Sequence, residues 1–292
     1  MNIDPDELES LVVLFDDRDT VVTELVNSRL ASYGPDVVRS LRNLSERRSD
    51  PALKALIAER AGALNTEFKL ADFQDFTTRT PGPLSLFEGS WIISSMLDPT
   101  LVRERYEELF FRCSQEYLAE GSDQRTGVEN IRILNHIFFH RLKFTLFDVQ
   151  LRDPRYAMLG DALQSRGGNP FVLAFIYLMI CQVSGLPVEL ICFPGGFIPV
   201  YVEGGKVLFY INIYRGGDIF LKDRLNIFLK ATGLKIDESA FRRRDESAML
   251  TLYLESLLYI YGNRKDERRC AVIDRALSLL GPERYLTIDE QD

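Results

Sequence analysis

Only a few side chains in this sequence could serve as a nucleophile or as a general base near neutral pH. The 292-residue chain has four cysteines and two histidines. The cysteines lack the Cys-x-x-Cys spacing of a metal or redox site. Cys181 and Cys192 lie within apolar runs, which is typical of packed, reduced thiols. We expect packing roles for Cys113 and for the more exposed Cys270 as well.

The two histidines have the spacing of two metal ligands on one face of a helix. His136 and His140 are four residues apart, as in many zinc sites. The residues between them are Ile-Phe-Phe, without the glutamate of a zinc-protease helix, and no third ligand is nearby in the sequence. We therefore expect surface or hydrogen-bonded histidines, and neither a metal nor a cofactor.

The charge balance of the chain argues against several classes of partner. The net charge is −8 and the sequence pI is about 5.1, whereas nucleic-acid binding needs a basic face. The basic clusters at residues 242–244 and 264–269 are followed or interrupted by acids. The acidic N-terminus lacks the layout of a signal peptide, and the longest apolar run is shorter than a membrane span. We expect a soluble cytoplasmic protein without nucleic-acid or membrane partners.

The chain is organised around a predicted helix that begins at Pro170. Asn169 is a suitable N-cap, and proline fits the first helical position, where no backbone N–H is needed. Residues 171–181 are all apolar, so this helix has no polar face and must be surrounded by protein. Gly185 and Pro187 end it, because glycine can adopt the left-handed conformation and proline cannot continue a helix.

Three strand-like runs follow this helix and predict a small antiparallel sheet that covers it. The first run is residues 188–193, the second follows the Pro-Gly-Gly-Phe of positions 194–197, and the third is residues 207–213. A turn at Gly204 and Gly205 separates the second run from the third.

The flanking regions are predominantly helical by their apolar periodicity. Residues 1–65 predict four helical segments, and residues 66–98 are less regular until a short helix at residues 84–97. Further helices are predicted at residues 101–118, 127–142, 155–164, 221–229 and, as a hairpin, 248–280. The fold class is therefore α+β and mostly helical. We expect three regions: a helical N-terminal region at 1–125, a core at 126–235, and a C-terminal helical hairpin at 236–292.

Several short motifs in this core resemble those of the transglutaminase-like superfamily. They are Arg-Gly-Gly-Asn-Pro at residues 166–170, Gly-Leu-Pro-Val at 185–188, Pro-Gly-Gly-Phe at 194–197 and Asn-Ile-Tyr-Arg-Gly-Gly at 212–217. They occur in the family's order, within about a third of the chain. The most similar branch is the bacterial SirB family, whose members carry helices before the core and a tetratricopeptide-like tail. The C-terminal hairpin has the shape of one such unit.

The resemblance implies acyl transfer by a cysteine, a histidine and an aspartate in active members. In this sequence those three positions fall at Pro170, Gly196 and Asn212, which supply no nucleophile, no base and no charge. A shift of register does not restore them. Residues 166–173 contain no cysteine, serine or threonine, and residues 193–217 contain no histidine or aspartate.

The leading functional prediction is a non-catalytic protein of this superfamily that binds a peptide or a protein. Aromatic and arginine side chains are good anchors for such ligands. The residues expected near the degenerate cleft are Arg166, Asn169, Tyr210, Tyr214 and Arg215.

Two other functions are compatible with the sequence. One is a cysteine-dependent acyl transferase or hydrolase with a relocated site, in which Cys192 or Cys113 is paired with His136 or His140. The other is a purely structural helical scaffold, in which the core region is only a spacer.

Overall fold

The computed structural model describes residues 3–79, 82–122, 124–147, 151–193, 196–225, 227 and 242–286. The fold is α+β and mostly helical, with one small antiparallel sheet, as predicted from the sequence. Within the described part of the chain, no helix combines the length and the apolar character that crossing a membrane requires.

The N-terminal region forms four helices, which confirms the four segments predicted from residues 1–65. They are α1 (Pro5–Val13), α2 (Thr20–Ser32), α3 (Asp36–Arg47) and α4 (Pro51–Arg79). Asp4, Asp19 and Asp50 each accept a hydrogen bond from a backbone N–H of the first turn that follows. These helices bury an apolar cluster of their own, which includes Leu30 and Leu41.

The expectation of irregular structure from residue 66 was wrong, because α4 continues without interruption to Arg79. Phe68 packs against the N-terminal cluster, whereas Phe73 and Phe76 pack against the main core of the molecule. The apolar residues of α4 therefore serve two cores on different faces of one helix. That change of face removes the simple periodicity on which the sequence prediction depended.

The next helices are α5 (Leu86–Leu97), α6 (Arg103–Leu118) and α7 (Gly127–Asn135), at the predicted places. Beyond α7 the chain continues as a π-helix, His136–Arg141, instead of the α-helix predicted to residue 142. The hydrogen bond from Leu142 N to Ile137 O (2.8 Å) has the wider spacing of that helix type.

Two very short strands pair in parallel just before the central helix. They are β1 (Thr145–Leu146) and β2 (Gly167–Gly168), which the sequence did not predict. Between them lies α8 (Leu159–Ser165), which begins later than the predicted short helix because Pro154–Tyr156 forms a 3-10 turn.

The central helix, α9 (Pro170–Val183), begins and ends where the sequence predicts. Every side chain from Val172 to Cys181 is buried. Gly185 adopts φ +67°, the left-handed conformation expected at the end of the helix.

The sheet has the order β6-β5-β4-β3-β7, and all neighbouring strands are antiparallel. Its strands are β3 (Val188–Phe193), β4 (Gly196–Glu203), β5 (Lys206–Asn212), β6 (Asp218–Phe220) and β7 (Arg242–Arg244). One face, which includes Phe197 and Phe209, belongs to the main core with α9. The opposite face, which includes Val200 and Tyr210, forms a separate cluster with Leu225.

The C-terminal region is a helical hairpin, as predicted, formed by α10 (Glu246–Asn263) and α11 (Glu267–Leu280). Leu250, Leu254 and Leu257 of α10 are buried in the main core. The helix predicted at residues 221–229 lies largely outside the described residues, and Lys222–Arg224 forms a 3-10 turn.

Candidate functional site

The three positions that the sequence resemblance assigned to the triad lie at the start of α9 and on the neighbouring strands. Pro170 is the first residue of α9 and is buried. Gly196 opens β4 opposite Phe193, and Asn212 ends β5 opposite Asp218. The rings of Phe171 and Phe197, which directly follow two of these positions, have centroids 5.0 Å apart. The start of the helix therefore lies beside the start of β4.

Asn169 is a buried N-cap that accepts a hydrogen bond from the first turn of α9. Its Oδ1 accepts a hydrogen bond from Val172 N (2.9 Å), and its own N–H donates to Tyr156 O (2.6 Å). The residue is 0% exposed. Its Nδ2 is buried and has no hydrogen-bond partner among the described residues. The electric field of the helix dipole at the N-terminus of α9 therefore acts on a neutral asparagine and a proline, and not on a thiol.

Apolar side chains from α10 fill the space on one side of this helix start. Met249, Leu252 and Tyr253 of α10 line a void with Phe171 and Phe197. The volume of this void is about 10 Å³, room for one water molecule at most. No substrate could enter on this side without displacing α10.

Asn212 adjoins a polar network that joins three elements. Its main-chain O accepts from Gly217 N (2.9 Å). Asn135 Nδ2 of α7 donates to Gly217 O (2.6 Å), and Tyr177 OH of α9 donates to Asn135 Oδ1 (2.8 Å). The side-chain Oδ1 of Asn212 is buried, and the part of the chain that the structure describes offers it no donor. The network positions the turn after β5 and does not involve an ionised group.

Arg166 is engaged inside the protein. Its Nη1 donates to Cys113 Sγ, and its guanidinium carbon lies 5.2 Å from the centre of the Phe144 ring. Its main-chain O accepts from Thr145 N (2.8 Å), which joins β1 to β2. Burial raises the pKa of the Cys113 thiol, although the charge of Arg166 acts in the opposite direction.

The structure does not bring the five predicted binding residues together on one surface. Asn169 is buried in the main core, whereas Tyr210 is 7% exposed on the opposite face of the sheet, where its ring stacks on Phe220. Tyr214 is 39% exposed and Arg215 is exposed as well. Only these last two are presented to solvent side by side.

The cysteines and histidines occupy different environments. Cys113, Cys181 and Cys192 are buried, and burial raises the pKa of Cys181 as it does that of Cys113. His136 and His140 are exposed, with ring centroids 5.7 Å apart. Among the residues described, no group of three or more histidines, cysteines and acids is placed to hold a metal ion.

A groove lies at the opposite end of α9, where no motif predicted a site. This groove of about 930 Å³ runs between the loop before α7 and the β4–β5 hairpin. Its wall includes Tyr201 and Phe209, whose rings stack with centroids 4.9 Å apart. Leu118, Leu208 and Leu221 border it and are 51%, 44% and 60% exposed. The sequence contains these three leucines far apart in the chain, and only the fold shows that they are exposed and border one groove.

A second concavity, of about 560 Å³, adjoins the turn between α10 and α11. Its charged lining includes Asp98, Asp161, Arg264 and Arg269. Burial, and then the charge of Asp98, raises the pKa of the Asp161 carboxyl. Acids and bases alternate here, so the lining has no single sign of charge.

The sequence of the chain matches a family model described as the transglutaminase-like superfamily over residues 101–254. The match runs from the residues just before α6 to the middle of α10 and covers more than half of the chain. No curated protein and no solved structure gives a significant match. The order of the matched elements, the buried helix at Pro170 and the antiparallel sheet beside it agree with this result. The chain belongs to the transglutaminase-like superfamily.

Proposed function

We propose that the chain is a non-catalytic member of the superfamily that binds a peptide or a protein. One observation carries this proposal: the helix that would present the nucleophile begins with Pro170, which is buried and preceded by the fully buried cap Asn169. A proline side chain cannot attack a carbonyl carbon. The neighbouring positions Gly196 and Asn212 offer no imidazole and no carboxylate.

The environments of the thiols support the same conclusion. A nucleophilic cysteine needs a lowered pKa and access to solvent. Burial instead raises the pKa of Cys113 and of Cys181. Cys270, which is half-buried, also has a raised pKa, through burial and the charges of nearby acids such as Asp266.

The binding surface that we assign is the exposed pair Tyr214 and Arg215, on the turn that leads to Gly216 and Gly217. We also propose that the chain belongs to the SirB branch, that its C-terminal hairpin is tetratricopeptide-like, and that the regions 1–125, 126–235 and 236–292 are its domains. The α10–α11 hairpin supports the second of these assignments.

Thiol alkylation kinetics test the absence of catalysis. We expect that no cysteine of the native protein reacts with iodoacetamide at pH 7 faster than free cysteine does. Cys270 is expected to react first, because the other three thiols are buried. The same protein in denaturant is the control, since all four thiols should then react at the rate of free cysteine. One thiol that reacts tenfold faster than free cysteine in the native protein would contradict the proposal.

The alternative of a relocated enzyme makes a different prediction in the same assay. It requires Cys113 or Cys192 to lie within hydrogen-bond reach of His136 or His140. Both thiols are buried and both imidazoles are exposed. Under this alternative, replacing both histidines by alanine would slow the alkylation of one cysteine. Under our proposal the rates do not change.

Selection from a phage-displayed library of random 12-residue peptides tests the binding half of the proposal. We expect peptides to be enriched on the wild-type protein and to bind a Tyr214→Ala, Arg215→Ala variant at least tenfold more weakly. Phe111→Ala and Arg112→Ala, at an adjacent exposed aromatic–arginine pair on α6, provide the matched control, which should not change binding.

A further inference from the structure

Helix α10 carries a buried carboxylate, Glu255. Glu255 is 7% exposed and stands between Leu254 and Leu257, which are buried in the main core. Its two oxygens accept hydrogen bonds from the main chain of the C-terminal segment. Tyr285 N lies 3.0 Å from each oxygen, and Leu286 N lies 2.9 Å from one of them.

A carboxylate in an apolar environment is costly unless hydrogen bonds or charges compensate it. Burial accordingly raises the pKa of Glu255, while the two main-chain N–H groups and the charge of Arg284 act to lower it. Arg284 itself donates from Nη1 to Gly281 O and Glu283 O. The direct partners that we find for the Glu255 carboxylate are therefore backbone amides, which any extended segment can supply.

The segment that provides these amides has no regular secondary structure. It follows α11, turns at Gly281 with φ +113°, and forms neither helix nor strand over residues 281–286. Tyr285 and Leu286 are half-buried and pack against the main core. The residues between the turn and this pair are exposed. The contact thus includes main-chain hydrogen bonds to one carboxylate and the packing of an aromatic and an aliphatic side chain.

We propose that the surface of α10 around Glu255 is a docking site for an extended peptide with an aromatic residue followed by an aliphatic one. The chain's own residues 281–286 are then an exchangeable occupant of this site. This inference rests on the proposed function, because it takes the chain to be a peptide-binding protein, and it assigns a second site and a ligand class. The Glu255 carboxylate binds main-chain N–H groups, so a separate peptide can donate the same hydrogen bonds as the chain's own segment.

The covalent link sets how tightly a second peptide binds. A short tether gives the chain's own segment an effective concentration of roughly millimolar at the site. A partner peptide must compete with it, so binding to the wild-type protein should be weak. Removing the side-chain anchors of the internal segment should strengthen binding in trans.

The experiment uses the full chain with the substitutions Tyr285→Asp and Leu286→Asp, which undock its own segment. The probe is a fluorescein-labelled peptide with the sequence of residues 281–286, Gly-Pro-Glu-Arg-Tyr-Leu, measured by anisotropy. We expect the double variant to bind this probe at least tenfold more tightly than the wild-type protein does. Adding Glu255→Gln should weaken binding at least tenfold, whereas Glu267→Gln, an exposed acid on α11, should leave it unchanged.

N-methylated peptides test the main-chain contact independently of folding. Methylation of the Tyr and Leu amides removes both donors and should abolish binding, whereas methylation of the Arg amide should not. The inference is overturned if the probe does not bind the double variant at 1 mM, or if Glu255→Gln or the methylated amides have no effect.

Two further outcomes separate this inference from its alternatives. A wild-type dimer in sedimentation velocity that Glu255→Gln dissociates would assign the site to a second copy of the chain and overturn the partner named here. A fast-reacting cysteine would contradict the proposed function, while leaving the peptide titration to decide the docking site on its own.

Discussion

At the scale of single residues, the start of α9 is built from residues that stabilise a helix. A thiol at this place would gain acidity from the helix field. Pro170 instead fixes the backbone of the first turn, and Asn169 supplies the acceptor that the free N–H of Val172 needs. Both residues therefore stabilise the start of the helix.

The cap at Asn169 should matter more than an exposed cap does. Asn169→Ala leaves Val172 N without an acceptor where water cannot reach it, so we expect a loss of about 2 kcal/mol, the upper end of measured caps. Asn169→Ser keeps an acceptor and should cost less than about 1 kcal/mol. The exposed cap Asp50→Ala is the control for urea denaturation. Equal costs for Asn169→Ala and Asp50→Ala would contradict this reasoning.

The buried carboxylate of Glu255 should give the stability of the protein a distinctive pH dependence. Burial raises its pKa in the folded chain above the unfolded value. The stabilisation linked to its proton is therefore complete below the unfolded pKa and is lost as the pH rises through the folded pKa. We expect the free energy of unfolding of the wild-type protein to fall relative to Glu255→Gln as the pH increases across this window. Urea denaturation measures this difference. The assignment would be refuted if the free energy of unfolding of the wild-type protein, relative to that of Glu255→Gln, stayed constant or rose with pH.

At the scale of elements, a turn determines how the sheet meets the helices. Gly217 follows β5, and its O accepts from Asn135 of α7, which in turn accepts from Tyr177 of α9. A Cβ built on Gly217 would lie 2.2 Å from Asn135 Oδ1. The close approach at this glycine is what allows one hydrogen-bonded chain to join α7, α9 and the sheet.

The neighbouring glycines provide a matched test of that close approach. Gly216 and Gly217 both have positive φ, +63° and +80°, but a Cβ on Gly216 has no atom within 4 Å. Gly216→Ala should therefore cost about 1 kcal/mol for the left-handed backbone alone. Gly217→Ala adds overpacking and should cost about 3 kcal/mol. Thermal or urea unfolding measures both, and equal effects would show that the contact with Asn135 is unimportant.

At the scale of the whole molecule, α4 connects two separate apolar clusters. Leu64 belongs to the N-terminal cluster, and Leu70 and Phe73 belong to the main core. A bidentate pair between Glu67 and Arg275 (2.6 and 2.8 Å) also ties α4 to α11. It is exposed, so we expect it to contribute under about 1 kcal/mol. Arg42 of α3 also donates to Pro99 O, and Asn65 of α4 donates to Ser95 O of α5 (3.0 Å). The continuous helix and these side-chain hydrogen bonds together couple the clusters.

A proline in the middle of α4 should separate the two clusters. Thr66 lies between Leu64 and Leu70, and Thr66→Pro removes a helical hydrogen bond and clashes with the preceding turn, at a cost of about 3 kcal/mol. We expect calorimetry to show two transitions in place of one. Thr66→Ala, which loses only the side-chain bond to Gly62 O, is the control and should retain a single transition. A single, uniformly shifted transition in Thr66→Pro would indicate coupling through other contacts.

The sequence by itself determined the elements whose signals are local. The start of α9 was predictable because an asparagine, a proline and an unbroken apolar run act over one or two turns. The α10–α11 hairpin and strands β3, β4 and β5 were predictable for similar reasons, whereas β6 and β7 were not predicted. The prediction that Pro170, Gly196 and Asn212 replace a nucleophile, a base and a carboxylate also depends on the sequence alone.

Only the tertiary structure decided which of these residues meet. Strand alternation did not reveal that Tyr210 lies in a separate cluster beyond the sheet while Asn169 lies in the main core. The length of α4, the groove bordered by three leucines and the contact between Glu255 and the C-terminal segment each depend on residues far apart in the chain. These contacts cannot be predicted from a local sequence pattern. A helix that packs against two cores has no single apolar periodicity, and a main-chain hydrogen bond can be made by almost any residue type.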